Sequence, residues 1–369
     1  MAPGGLVRLL DYDGKFVALG YYNSNCDIAV RVLTRDARQT IDRDFLAERI
    51  KTAWELRKTY FDLDRTNVFR LINAEGDFLP GFIVDYYAGI PVIQSHTAGA
   101  DALLPQFIEA LESVLRPATI VLRKDASVRQ REGLETEAPT VIKGAIPDEL
   151  VVKEHGHNFA VDLIEGQKTG YFTDQRDKRQ ALTHYMRMLE EGSRLLNCFS
   201  YTCSFSIYAV LANPQLLSVN VDQSEDAIAQ GKRNYELNWI DPTAHEFVVS
   251  DAFAYLDRQI ARNEKFEVVV LDPPAFAKSI KDKDKAIKGY TRLNALGMRL
   301  CKPGAYIVLC SCSGAVSIDE FVESIKDSAA AASRSVQVLE TFQHGVDHPL
   351  NIMAPESAYL KVIIARVLD

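Results

Sequence analysis

In the second half of this 369-residue chain, five apolar runs each end on polar groups. RLL ends on Asn197-Cys198-Phe199-Ser200-Tyr201-Thr202, LLSVNV on Asp222, HEFVV on Ser250-Asp251, FEVVVL on Asp272, and AYIVL on Cys310-Ser311-Cys312-Ser313-Gly314. A carboxylate at Asp222 can accept both hydroxyl hydrogens of a ribose diol. One at Asp251 suits the exocyclic amine of adenine. A single acid carries little, because Asp is a common helix N-cap; the ordered set Asp222, Asp251, Asp272 is the informative feature. Asp272 opens D-P-P-A-F, where Pro273 and Pro274 remove backbone donors and fix the turn.

The elements that must position these groups alternate. Helical patterns at 176–190, 204–212, 224–238, 252–262, 284–301 and 317–331 separate the apolar runs. Strands alternating with helices predict a parallel, doubly wound sheet, whose ligands bind beyond the carboxyl ends of the strands. VQVLETF and LKVIIARVL add edge strands. Upstream, residues 5–34 alternate in the β manner around an Asp13-Gly14 turn. Residues 42–60 are helical, 66–152 read β-β-α-β-β, and HNFAVDLIEGQKTGYFTDQR (157–176) reads as a hairpin turning at Glu165-Gly166.

The composition narrows the class. At 47% hydrophobic the chain can build a sizeable core, yet no apolar run approaches 18 residues, so no membrane span is expected. The first residues lack a signal-peptide core. Six scattered cysteines without a C-x-x-C pair argue against zinc and for free thiols in a reducing cytoplasm. A net charge of −8 disfavours broad adhesion to nucleic acid but allows a local basic surface. The loop NCFSYTCSFSIYA has no glycine, against the G-x-G-x-x-G of a dinucleotide site. A sulfonium nucleoside has no phosphate to cradle and tolerates such a loop.

The order of strand-end residues resembles the class I S-adenosylmethionine-dependent methyltransferases. GYFTDQR, NCFSYT, LDPPAFAKS and SCSG, following LPGFIVD, are similar to the ribosomal RNA large-subunit methyltransferase family that makes 5-methylcytosine. The resemblance implies a partial PUA-like β module (1–40), a linker helix (41–65), a central domain (66–156), the hairpin (157–176) and a Rossmann-like methyltransferase domain (177–369). It places Asn197, Phe199, Ser200, Tyr201 and Thr202 beneath the methionine part of S-adenosylmethionine. Asp222 with Gln223 would meet the ribose, Asp251 with Ala252 the adenine, and Asp272 with Pro273 the methyl group. Gln175 and Arg176 would close over the site. Cys312 falls where these enzymes keep their nucleophile, and Asp272 would be the acid beside the base. Pro274, Phe276 and Lys278 would meet the substrate, and Arg123 and Lys124 the ribosomal RNA.

The chemistry fits a thiol, since C5 of cytosine becomes nucleophilic only after addition at C6. Ala275 stands where two-cysteine enzymes carry a second thiol. D-P-P-[AFYW] also occurs in enzymes that methylate exocyclic amines, where Phe276 would stack on a flipped base. An N-methyltransferase of guanine or adenine is therefore the alternative, and an RNA-binding protein with a degenerate pocket a third reading. Two departures stand out. The usual T-G-G-F is Thr202-Cys203-Ser204-Phe205, with side chains that could crowd the cofactor, and the H-P-W-V-F segment of the PUA domain is absent. KSIKDKDKAIK (278–288) reads as a solvated loop or a flap over substrate. A homodimer is left open.

Overall fold

The computed structural model describes residues 2–277 and 279–369, apart from the side chain of Glu356. The chain divides into two compact units. The first is Met1–Gly156, Val161–Asp174 and Gly345–Ser357; the second is His157–Ala160, Gln175–His344 and Ala358–Asp369.

In the first unit, β1 (Leu6–Leu10), β2 (Phe16–Tyr22) and β3 (Val30–Thr34) form an antiparallel sheet. Gly14 supplies the positive φ, +79°, that its turn requires. Helix α1 (Arg43–Tyr60) starts where the Asp42 side chain accepts from the Phe45 amide at 3.0 Å. A five-stranded sheet follows in chain order: β4 (Val68–Asn73), β5 (Phe82–Tyr87), β6 (Ile90–Ser95), β7 (Ile120–Lys124) and β8 (Glu137–Lys143). Helix α2 (Ala98–Leu115) connects β6 to β7 and short α3 (Val128–Arg131) connects β7 to β8. Three strands thus precede α2. β9 (Leu150–Glu154) completes this unit's strands. Phe45, Leu46 and Ile50 of α1 share one core with Phe69, Phe82 and Phe107.

This unit carries a titration of its own. Burial, with the Arg70 and Arg129 guanidiniums nearby, pushes the His96 imidazole down to about 4. The folded state therefore excludes a proton that the unfolded chain binds below its ordinary value near 6.5, so stability falls as pH drops from about 6.5 towards 4. His96→Gln is expected to lose less stability than the parent over that window, by about 1–3 kcal/mol in denaturant titrations at each pH.

The second unit is built on a seven-stranded sheet. Its strands are β11 (Arg194–Cys198), β12 (Leu217–Asp222), β13 (Glu246–Val249), β14 (Phe266–Leu271), β15 (Cys301–Ser311), β16 (Val336–Phe342) and β17 (Lys361–Val367), in the order β13-β12-β11-β14-β15-β17-β16. The first five are parallel; β17 runs antiparallel to both β15 and β16. Helix α4 (Arg176–Met186) precedes the sheet, and α5 (Ser204–Ala212), α6 (Glu225–Leu237), α7 (Ala252–Ala261), α8 (Lys283–Leu300) and α9 (Ile318–Ala332) connect its strands. β14 is buried at every position but one, so it reads as an unbroken apolar run. Ser224 caps α6, Asp251 caps α7, and Ser317 with Glu320 forms a capping box on α9.

Two local expectations change. β10 (His157–Val161) is followed by turns and bends rather than a returning strand. The Asp162 carboxylate accepts from the Ile164 and Glu165 amides, an Asx turn that removes those donors from a ladder. Asn158 and Ala160 instead donate to Asn238 and to Asn234 of α6. The lysine-rich stretch is not a free flap beyond residue 282: α8 begins at Lys283, whose ammonium meets Glu320 at 2.6 Å. Among the described residues, no helix is long and apolar enough to cross a membrane, and no group of three or more His, Cys, Asp or Glu could hold a metal.

Candidate active site

Strand register brings the polar ends together. Cys198 pairs with Val221 on one side and Leu271 on the other, and Leu271 pairs with Leu309. The four strands end level, so the loop after β11, Asp222, Asp272 and the S-C-S-G loop leave one edge. Chain order reverses at β11, the place where a doubly wound sheet opens a crevice.

The loop after β11 is strained. Phe199, Tyr201 and Cys203 have φ of +59°, +46° and +64°, a region that costs an L side chain roughly 1–2 kcal/mol each. Glycines would hold these angles freely, so the chain keeps a glycine-like backbone without glycines. The thiol of Cys203 is accommodated by α6: a Cβ added at Gly231 would lie 2.5 Å from its Sγ. Ser204 accepts from Arg179 at 3.2 Å. Both added side chains are thus packed against protein. Ser200 donates its amide to Val221 O at 3.0 Å. Asn197 donates to Ser206 Oγ at 2.9 Å, while its Oδ1 and the Thr202 hydroxyl are buried without a protein partner. Buried polar atoms are rarely left unmatched. Two of them, one at the end of β11 and one in the strained loop that follows it, fit a polar ligand such as the amino-acid end of S-adenosylmethionine.

Asp222 is no helix cap. Its two oxygens accept from the Tyr201 and Ser224 amides, both at 2.9 Å, which ties two loops together. Gln223 is exposed beside it. Asp251 does cap a helix: one oxygen accepts from the Ala254 amide at 2.9 Å, leaving the other for a ligand, and Ala252 is buried behind it.

The D-P-P turn and the S-C-S-G loop are bonded to each other. The Cys312 thiol donates to Pro273 O at 3.3 Å, and the Ala277 amide donates to Ser313 Oγ at 3.0 Å. Ser313 Oγ also shares a 2.9 Å hydrogen bond with the Tyr290 hydroxyl. Gln175 is buried and donates to Asp272 Oδ1 at 2.9 Å, while its own Oε1 has no protein partner. Gln175 thus meets Asp272, a contact the Y-F-T-D-Q-R motif alone did not indicate. Arg176 is fully buried at the start of α4. Burial and the Asp272 charge push the Cys310 thiol well up, which leaves it neutral. Cys312 is partly exposed.

Other expected contacts fall elsewhere. The Phe276 ring packs on Tyr290, centroids 4.7 Å apart, and a Cβ on Gly289 would lie 3.0 Å from it, so it is a packing group rather than a free stacking plate. Pro274 is exposed, and Lys278 lies outside the described residues. Arg123, in the first unit, is buried; its guanidinium donates to Asp125 and to the carbonyls of Leu163 and Gly166, so it does not present a free charge to RNA. Lys124 meets Glu137 at 3.2 Å. Sequence reasoning missed Ser313, Tyr290 and Lys361. For Lys361 the signal was there: it is a cation at the head of the apolar run VIIA.

The family model for S-adenosylmethionine-dependent methyltransferases matches residues 117–363, and one for a PUA-like domain matches residues 1–35. Proteins named ribosomal RNA large subunit methyltransferase I are similar over the whole chain. That of Cronobacter sakazakii is 36% identical over 100% of this chain and 91% of its own, and that of Aeromonas salmonicida 38% over 98% and 90%. The chain belongs to this methyltransferase family. A solved S-adenosylmethionine-dependent methyltransferase from Streptococcus mutans shares the fold, with a TM-score of 0.85, 21% identity, and coverage of 99% of this chain and 92% of that one. A methyltransferase solved with SAH has a TM-score of 0.86 at the same identity and coverage. The enzyme is thus an S-adenosylmethionine-dependent methyltransferase.

Proposed function

We propose that this enzyme methylates C5 of a cytosine in large-subunit ribosomal RNA, in the cytoplasm, through a covalent Cys312 adduct. The relatives' names supply the RNA class. What supports the carbon chemistry is the Cys312 thiol, set against Pro273 O one residue from Asp272. Phe276, packed on Tyr290, is not free to stack on a base, which disfavours the exocyclic-amine alternative.

Bound S-adenosylmethionine supplies an electrophilic methyl group. Asn197 Oδ1 and the Thr202 hydroxyl would hold its amino-acid end, Asp222 its ribose, and Asp251 its adenine. The thiolate of Cys312 adds to C6, forming an S–C6 bond and making C5 enamine-like. Asp272, oriented by Gln175, would in its acid form give a proton to N3 as the thiolate adds, neutralising the negative charge that addition places on the ring. Once C5 carries the methyl group, with S-adenosylhomocysteine as the leaving group, a water molecule takes the C5 proton, the S–C6 bond breaks to return the thiolate, and N3 returns its proton to Asp272. The D-P-P turn keeps the base edge and the thiol in register.

The decisive experiment incubates the enzyme with labelled donor and undermodified ribosomal RNA, then identifies the nucleoside. 5-Methylcytosine is expected; a methylated exocyclic amine sinks the reading. Asp222→Ala should weaken S-adenosylhomocysteine binding about 10–100-fold by calorimetry, the worth of one or two charge-assisted hydrogen bonds.

A further inference from the structure

Lys361 opens β17 opposite Ser311 and is almost fully buried. Its ammonium donates to Ser313 O at 2.6 Å, Val316 O at 2.7 Å and Tyr359 O at 2.9 Å. Lysine has three N–H donors, and all three are used on carbonyls. Two of those carbonyls belong to the segment that follows Cys312. Three carbonyl dipoles stabilise the ammonium form of a group so bonded and make it a local source of positive charge.

We propose that Lys361 is the positioning residue for the nucleophile: it pins the S-C-S-G loop and favours the ionised form of Cys312. This rests on the covalent reading above and names the group that prepares the thiol. Burial pushes the Lys361 ammonium down to about 8, partly offset by Cys312 and Glu320, so it remains mostly charged at neutral pH. The coupling is mutual: a thiolate that stabilises the cation is stabilised by it.

Several described groups also act on this cluster. Asp272 reaches this cluster from β14, Cys310 from β15 and Tyr290 from α8, and Glu320 of α9 faces Lys361. Tyr290 and Cys310 are both pushed up by burial and stay neutral. Glu320 is matched by Lys283. Asp272 and the thiol's hydrogen bond to Pro273 O both favour the neutral form; Asp272 is partly exposed, so water screens it more than it screens the buried cation.

The test is the rate at which iodoacetamide labels Cys312, read on its peptide by mass spectrometry from pH 5.5 to 10 and normalised to the high-pH plateau. In the native full chain the normalised rate near pH 7 is expected to exceed that of the urea-unfolded chain about fivefold or more. Lys361→Met should lower it about tenfold, and Lys361→Arg should bring it back to within threefold. A purely structural role would change thermal stability but not the shape of this profile. Superimposable profiles for the parent and a folded Lys361→Met variant overturn the proposal. If that variant does not fold, the native and unfolded profiles decide alone, and no native advantage overturns it. The covalent reading fails separately: a Cys312→Ala variant that retains activity removes the nucleophile and leaves the labelling result standing.

Discussion

Cys312→Ala is expected to abolish 5-methylcytosine formation, lowering turnover by at least about 1,000-fold, the scale for loss of a covalent nucleophile. Binding of S-adenosylhomocysteine should change less than about threefold, because the groups proposed to hold it (Asn197, Thr202, Asp222 and Asp251) lie outside the S-C-S-G loop. The side chain is small, donates to Pro273 O and is partly exposed, so its loss leaves no large cavity. Turnover by radiolabel transfer and affinity by calorimetry on the same preparation separate the two effects. Cys310→Ala is the control. That thiol is buried in the core and held neutral, so its removal should reduce stability and leave per-molecule turnover within about threefold. Equal loss in both variants would show that the loop collapsed rather than lost a nucleophile.

Asp77→Ala carries the largest expected stability effect, a loss of about 3–5 kcal/mol, because it strands a buried guanidinium. Arg57 of α1 is fully buried, and its two terminal nitrogens meet the two Asp77 oxygens at 2.6 and 2.7 Å. The same carboxylate accepts from the Asn73 amide at 2.6 Å, and Arg57 also donates to Arg70 O and Asp347 O. The cluster ties α1 and β4 to residues 345–357, a segment almost three hundred positions away in sequence. Removing one partner exposes the cost of desolvating the other, which a surface pair would not show. Urea unfolding followed by circular dichroism measures it. An Arg57→Met, Asp77→Leu double variant should recover much of the loss, since an apolar pair leaves no uncompensated charge.

The doubly wound sheet was legible because β11, β12, β14 and β15 are apolar runs with helical patterns between them, and a strand buried on both faces has no alternation to hide. The Asp222, Asp251 and Asp272 series was legible because each acid abruptly ends such a run. The Asx turn at Asp162 was not, since a hairpin and a bent loop share the same turn residues, and only the competition for backbone donors separates them. The buried state of Arg123 was equally hidden: a guanidinium held by Asp125 and two carbonyls looks in sequence like one free for RNA.

By itself, then, the sequence determined which residues close each strand and the chemistry their types allow, because burial period and turn chemistry are local. Only the tertiary structure decided which of them meet. It turned Gln175 onto Asp272, set the Cys312 thiol on Pro273, and placed Lys361, nearly fifty residues beyond Cys312, against the carbonyls that follow it. Those contacts depend on strand register and on the antiparallel return of β17, and register is a property of the whole sheet rather than of any one segment.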